Sequence, residues 1–516
     1  MLTTMFVTML SGTLCVFLHW AQVMSASIKP RLAGRQPSNR GGVPRVRTGL
    51  SGKGRMASAA RGALSMPGPC QRSLELSNGW SFETRQIHVG QEPDSATGAR
   101  ALPIYQTTSF VFPSAESAAN RFALAELAPI YTRIGNPTQE AVEQRIASLE
   151  GGLGALLLSS GQAAETFAIL NIAEAGDHIV ASPSLYGGTY NLFAHTLKKF
   201  GISVTFVADP DNLDQWRDAV QPNTKLFFGE VVSNPRQDVL DIEGVSQVAH
   251  DAGVPLIVDN TLSTPYLIRP LEWGADIVLH SATKYLGGHG AAIAGVIVDS
   301  GKFDFGKDPE KFPGFNTPDP TYNGLVYARD LGADGALGAN LSYILKARVQ
   351  LLRDLGSAVS PFNAFLIAQG LETLSLRVER HVANAVDVAR WLEARDDVES
   401  VAYAGLPSSR WYERGRKYGP KGTGAIVSFN LAGGAEAGKR FVDALELHSH
   451  VANIGDVRSL VIHPASTTHS QLSPEQQEVA GVTPGLVRLS VGIEHIDDIL
   501  ADLEAGFRAA KEASGA

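Results

Sequence analysis

The residues best suited to chemistry lie at 275–290, Ala-Asp-Ile-Val-Leu-His-Ser-Ala-Thr-Lys-Tyr-Leu-Gly-Gly-His-Gly. The apolar run Ile277 to Leu279 predicts a buried strand that stops at small hydroxyl residues, one lysine (Lys284) and then glycines. A lysine placed where a strand leaves a core loses solvation, which disfavours its charged form and lowers its pKa. An amine of that kind can attack a carbonyl and hold it as a Schiff base. Ser281 and Thr283 flank it with hydroxyl donors suited to a phosphate. Together these residues predict a lysine that carries pyridoxal 5′-phosphate (PLP).

The elements that must position this lysine follow from the pattern between about 150 and 300. Apolar runs of strand length are Ala155–Leu158, His178–Ala181, Val204–Val207, Leu226–Val232, Leu256–Val258, Ile277–Leu279 and Ala294–Val298. Helical stretches separate most of them, among them Ala163–Ala175, Thr189–Phe200 and Ile242–Ala252. This alternation predicts an α/β fold with a mostly parallel sheet covered on both faces. Ligands in such sheets bind beyond the carboxyl ends of the strands. Those ends here carry Ser159-Ser-Gly-Gln, Ser184-Leu-Tyr-Gly-Gly, Ser233-Asn-Pro, Asp259-Asn-Thr and the Lys284 segment, and the topology brings them to one rim.

Each end has a chemical use. Ser160-Gly161-Gln162 opens a helix, whose free backbone N–H groups and dipole favour a phosphate. Tyr186 can stack on a pyridine ring. Asp259 follows Leu-Ile-Val, so it should be withdrawn from water, and a buried carboxylate needs a cationic partner such as a pyridinium nitrogen. Asn234 can donate to a phenolic oxygen. Upstream, Asn136-Pro137 with Gln139 predicts a helix start, with a capping side chain, a proline in the first turn and a Gln at the third position. Tyr131 and Arg133 precede it on a loop, and an arginine is an effective phosphate fork.

The flanks divide the chain further. Ten of the 44 Lys/Arg and none of the 52 Asp/Glu lie in residues 1–74, which leaves the body with 34 basic against 52 acidic residues, a balance of −18. An acidic body argues against nucleic acid as a partner. Residues 1–74 combine an apolar start with an Arg-, Gly-, Ser- and Pro-rich continuation, expected to be disordered. They read as a targeting or anchor segment, or as an extension outside the fold with Met56 and Met66 as alternative starts. Both cysteines, Cys15 and Cys70, fall there, so the body has no cysteine chemistry, which suits a cytoplasmic location. Residues 75–130 predict an N-terminal arm laid over another surface, in the chain or in a neighbouring subunit, 131–355 the sheet domain, and 356–516 a smaller α+β domain. In the last, Pro361–Leu376 and His381–Arg395 read as helices and Gly424–Leu431 as a strand. Arg488 lies in an alternating apolar strand and there requires a carboxylate. His463 and His469 lack further ligands around them, and no metal is expected.

The run His280-Ser-Ala-Thr-Lys-Tyr-Leu-Gly-Gly-His resembles the lysine signature of the Cys/Met-metabolism family of PLP-dependent enzymes, and the resemblance covers roughly residues 80–516. It implies the type I, aspartate-aminotransferase-like fold. It further implies that Lys284 binds the cofactor covalently, Asp259 pairs with the ring nitrogen, Tyr186 stacks on the ring and assists proton movements, and Asn234 contacts the ring oxygen. Gly161, Gln162, Ser281 and Thr283 then hold the phosphate, and Tyr131 and Arg133 reach the phosphate of a neighbouring subunit. Arg488 is assigned to the substrate α-carboxylate, with Asn453 beside it. A homotetramer built as a dimer of dimers is implied with these roles.

Within that family, residues 312–327, Phe-Pro-Gly-Phe-Asn-Thr-Pro-Asp-Pro-Thr-Tyr-Asn-Gly-Leu-Val-Tyr, resemble an insertion of the O-acetylhomoserine sulfhydrylases. Asn453-Ile-Gly-Asp with Ser459-Leu-Val is similar to the same subgroup. The expected substrates are therefore an acylated homoserine and sulfide. O-Succinylhomoserine, O-acetylserine and cysteine are the competing co-substrates. A nucleotide-binding module is disfavoured, because Gly151-Gly-Leu-Gly-Ala-Leu lacks the third glycine of the dinucleotide fingerprint and precedes its strand.

Overall fold

The computed structural model describes residues 79–513 apart from 336, 469, 471–476 and 478–480. The basic leader expected over 1–74, with Cys15 and Cys70, lies outside the described residues, as does His469.

The arm begins with helix α1 (Phe82–His88), which docks on its own chain. Gln86 Nε2 donates to Ser375 Oγ at 2.9 Å, and the Phe82 ring meets Tyr266 edge-on at 5.1 Å. Regular structure, including a second short helix at Ala115–Phe122, thus appears where the sequence showed little pattern. Val111, Phe122 and Leu127 remain exposed. Helix α2 (Pro137–Glu150) starts as its residues dictate: the Asn136 side chain accepts from the Thr138 N–H, Pro137 occupies the first turn, and Gly151 ends the helix at φ 78°. Gln139 departs from expectation. Instead of reaching back to the cap, its amide donates to the Val359 carbonyl at 2.7 Å.

Strands β1 (Gly154–Leu158), β2 (His178–Ala181), β3 (Ser203–Phe206), β4 (Thr224–Glu230), β5 (Leu256–Asp259), β6 (Ile277–His280) and β7 (Gly295–Asp299) form one sheet in the order β1-β7-β6-β5-β4-β2-β3. β7 runs antiparallel to both its neighbours, and all other pairings are parallel. β1 to β6 therefore point the same way, and their carboxyl ends open on one edge. Apart from the edge strand β3, the strands are largely apolar and buried because helices such as α3 (Gly161–Leu170) cover them. Fully burying Phe227 or Phe228 contributes about 1.5–3 kcal/mol each.

The helix predicted over 189–200 is a composite: α4 (Gly187–Asn191), a π-turn at Leu192–Thr196 and a 3₁₀ turn at Leu197–Phe200. Helix α5 (Ile242–Asp251) follows β4 and packs beside β5. Phe312 and Phe315 of the 312–327 segment join an aromatic cluster with Phe305 and Tyr343; Phe305 and Phe315 stack at 4.2 Å. Helices α6 (Pro361–Leu371) and α7 (Leu374–Glu393) lead to a second sheet. Its strands are β8 (Val398–Ala402), β9 (Ile426–Leu431), β10 (Ser449–His450), β11 (Leu460–Ile462) and β12 (Leu486–Ser490), in the order β10-β11-β12-β9-β8. Helices α8 (Gly434–Asp443) and α9 (Ile496–Ala513) bury Phe441 and Phe507 against Phe429 of β9. Among the described residues no helix is long and apolar enough to cross a membrane.

Candidate active site

The lysine loop leaves β6 and is drawn tight by backbone bonds from Lys284 to Ser281 and from Gly287 to Ala282. Arg377 of α7 fixes it from behind, donating to the carbonyls of Tyr285, Leu286 and Gly370. Lys284 Nζ donates to Asn453 Oδ1 at 2.5 Å. Its pKa lies below that of a free lysine, first because burial strips its water and second because of the nearby Arg488 guanidinium. The loop around Asn453 closes on the lysine loop. A Cβ on Gly455, which has φ 71°, would sit 2.8 Å from the Tyr285 nitrogen.

Arg488 of β12 is buried, and Arg488 and Ser428 pair across the β12–β9 ladder. The sequence required a carboxylate for it, and among the described residues no protein carboxylate pairs with it. Its Nη1 donates to Asn234 Oδ1 at 3.3 Å, its Nη2 to the Asn453 carbonyl at 3.2 Å, and its Nε has no partner. Desolvation brings its pKa down to about 10. A guanidinium in this condition can receive a carboxylate that comes with a ligand.

Asp259 ends β5, enclosed by protein on most sides while keeping some access to solvent. Burial pushes its carboxyl above the usual range, and hydrogen bonds from Thr261 oppose that shift. Thr261 also accepts the Ser281 N–H at 2.8 Å, which ties the aspartate's loop to the lysine's. No cation pairs with Asp259 among the described residues.

The turn expected to hold a phosphate opens α3. Ser160 spends its hydroxyl on capping α3, accepting from the Ala163 N–H at 3.1 Å. By position, the N–H groups of Gly161 and Gln162 then have no intrahelical acceptor. A Cβ on Gly161 would stand 2.8 Å from the Ser281 Cβ, so the helix start and the lysine loop touch there. Gln162 donates to Glu165 at 2.7 Å. Thr283 Oγ1 contacts the Ala294 backbone on both sides, at 3.1 and 3.2 Å. Tyr186 is 51% exposed, and a Cβ on Gly188 would lie 2.5 Å from its ring.

Gly161, Gln162, Tyr186, Asn234, Asp259, Ser281, Thr283, Lys284, Asn453 and Arg488 thus lie on segments that contact one another directly or through one intermediary. Tyr131 and Arg133 do not join them by any hydrogen bond among the described residues. Arg133 lies over the Tyr131 ring at 5.5 Å and donates to the Arg353 carbonyl. His463 has both ring nitrogens engaged, by Ser466 Oγ and the Pro484 carbonyl. Sequence reasoning missed Thr261, Arg377, Glu165 and Glu230. Glu230 carried the signal that singled out Asp259, an acidic residue closing an apolar strand, but the predicted strand ran on to Val232 and hid it.

These features suit a flat aldehyde with a ring nitrogen and a phosphate: a desolvated amine, a largely enclosed carboxyl with no cation paired to it among the described residues, and a helix start whose Gly161 position a Cβ would fill. Fold and site define a PLP-dependent enzyme of the aspartate-aminotransferase-like fold. A sequence model of the Cys/Met metabolism PLP-dependent enzymes matches residues 83–508, and the chain belongs to that family. It is similar to the O-acetyl-L-homoserine sulfhydrylase of Corynebacterium glutamicum, 57% identical over 433 residues, 83% of this chain and 97% of that protein. The O-acetyl-L-homoserine sulfhydrylase of Leptospira meyeri is 53% identical over 447 residues, 86% of this chain and all (100%) of its own. Among solved structures, a Campylobacter jejuni protein described as an O-acetylhomoserine (thiol)-lyase aligns with a TM-score of 0.79 at 38% identity, covering 83% of this chain and 100% of its own. That structure contains a pyridoxyl-lysine phosphate.

Proposed function

We propose that this chain converts O-acetyl-L-homoserine and sulfide to L-homocysteine and acetate, a γ-replacement in methionine biosynthesis. The observation that carries this reading is the buried Arg488 guanidinium. Among the described residues no carboxylate pairs with it, and it lies close enough to Lys284 to depress that amine's pKa. An α-amino acid presents a carboxylate to the first group and reacting α- and β-carbons to the second.

PLP, when bound, supplies the electron-withdrawing ring that makes protons on those carbons removable. Lys284 would hold it, Asp259 would keep a proton on its ring nitrogen, and Asn234 would meet its ring oxygen. Gly161, Gln162, Ser281 and Thr283 would take the phosphate, and Tyr186 the ring face. In the reaction Lys284 takes the proton from Cα, gives that proton up, and as a neutral amine again takes one from Cβ; a proton returns to each carbon afterwards. Arg488 holds the substrate's carboxylate so that the α-hydrogen faces the amine, with Asn453 fixing both groups. At Cγ the bond to the acetyl oxygen breaks and acetate leaves; hydrosulfide then adds at that carbon. Tyr186 assists proton movement near the leaving group.

We also assign Tyr131 and Arg133 to the phosphate of a neighbouring subunit, in a tetramer built from two dimers, and place the protein in the cytoplasm. The test is a matrix of acyl donors against sulfur donors, with homocysteine and cystathionine both measured. Homocysteine formed fastest from O-acetylhomoserine and sulfide supports the reading. Cystathionine as main product, or O-acetylserine as preferred donor, contradicts it.

A further inference from the structure

Two buried glutamates beside Asp259 have no task in the reaction above. Glu165 accepts from Gln162 and from the Thr189 hydroxyl, at 2.7 and 2.9 Å. Glu230 is the more revealing of the two. It ends β4 and pairs with Asp259 in the ladder to β5. Its Oε1 accepts the backbone N–H of Tyr186, and the Asn234 backbone amide also favours its charged form. No cation among the described residues pairs with it. Burial and the Asp259 charge push its carboxyl well above the usual range. Such a group is costly to bury, and an apolar side chain would fill the same space at less cost.

What the carboxyl provides is an anchor. The Tyr186 phenol has no hydrogen-bond partner among the described residues, and the ring is half exposed. The Arg488 guanidinium lies within electrostatic reach of the phenol, and the other constraint on the ring is its backbone, at the entry to α4, where the Tyr186 N–H would otherwise lack an acceptor. We propose that Glu230 is a positioning residue that, through its hydrogen bond to the Tyr186 backbone, sets the phenol ring against the cofactor. This rests on the reading of Tyr186 given under the proposed function.

The experiment follows cofactor release from diluted holoenzyme by visible absorbance, with the visible circular dichroism of the bound cofactor as a second readout. Y186A fixes the scale, with release about tenfold faster than in the parent, the upper range of a lost ring stack. E230M, similar in length but without an acceptor, should release cofactor roughly five- to tenfold faster and weaken the dichroism band. E230Q keeps an acceptor oxygen and should stay within about twofold of the parent; in a Y186A background, E230M should add less than about twofold. Parental release from Y186A would remove Tyr186 from the cofactor, and this proposal with it. Fast release from Y186A beside parental release from E230M would overturn the role of Glu230 alone. So would an E230Q protein as leaky as Y186A, a result that does not depend on the methionine variant folding.

Discussion

Gly161, the first residue of α3, and Ser281, the first residue after β6, lie 120 residues apart in sequence yet approach so closely that a Cβ on the glycine would stand 2.8 Å from the Cβ of the serine. The start of α3 and the lysine loop are therefore one surface. Gly161→Ala must push them apart, at an overpacking cost of about 1–3 kcal/mol. Cofactor affinity should fall by roughly five- to 150-fold, measured by titrating PLP into the stripped protein. Unchanged affinity would separate the helix start from the cofactor.

Arg488 is expected to grip the substrate with a planar fork. Arg488→Lys keeps the charge and loses the fork, so kcat/KM for the acylated homoserine should drop by about 1.5–3 kcal/mol, roughly 10- to 150-fold. The KM for sulfide should not move, since sulfide has no carboxylate. Steady-state kinetics with each substrate varied in turn gives both numbers.

The same arginine lowers the pKa of Lys284, as burial does more strongly. Arg488→Met removes a like charge, so the lysine's pKa should rise towards that of free lysine. In cofactor-free protein, the pH midpoint for PLP loading should move to more alkaline values, because less neutral amine is present at a given pH. A stopped-flow pH series reads this directly, and an acid shift would refute the electrostatic coupling.

Far from the site, Asp502 in α9 collects the backbone N–H groups of Glu446, Leu447 and His448 and the His448 ring. These donors hold its carboxyl far below the ordinary range even though burial works the other way. With the folded pKa depressed, its stabilisation is complete above the unfolded carboxylate's pKa and disappears as pH falls through the folded one. Asp502→Asn should cost about 1.5–3 kcal/mol at neutral pH in urea unfolding. The gap from the parent should narrow once the pH drops below about 4.

Much of the sheet was legible because each buried strand is a short apolar run, and the predicted ends fall within two residues of those in the structure. The rim was legible for the same reason: Asp259 and the Lys284 segment follow apolar runs immediately. Composite geometry was not. Residues 189–200 keep a helical pattern, yet the chain passes through a π-turn and a 3₁₀ turn that hydrophobic spacing does not encode. Gln139 fits a capping box by position, but the Val359 carbonyl, distant in sequence, claims its amide. Glu230, Thr261 and Arg377 act by bonding backbone groups of other loops, and no local pattern announces such partners.

The most direct test of the account is the position of the cofactor itself. Borohydride reduction of the native holoenzyme followed by peptide mapping should place one pyridoxyl group on Lys284, and Lys284→Ala should carry none and lose sulfide-incorporating activity. A pyridoxyl group on another lysine, or a Lys284→Ala protein that still makes homocysteine at the parental rate, would contradict it.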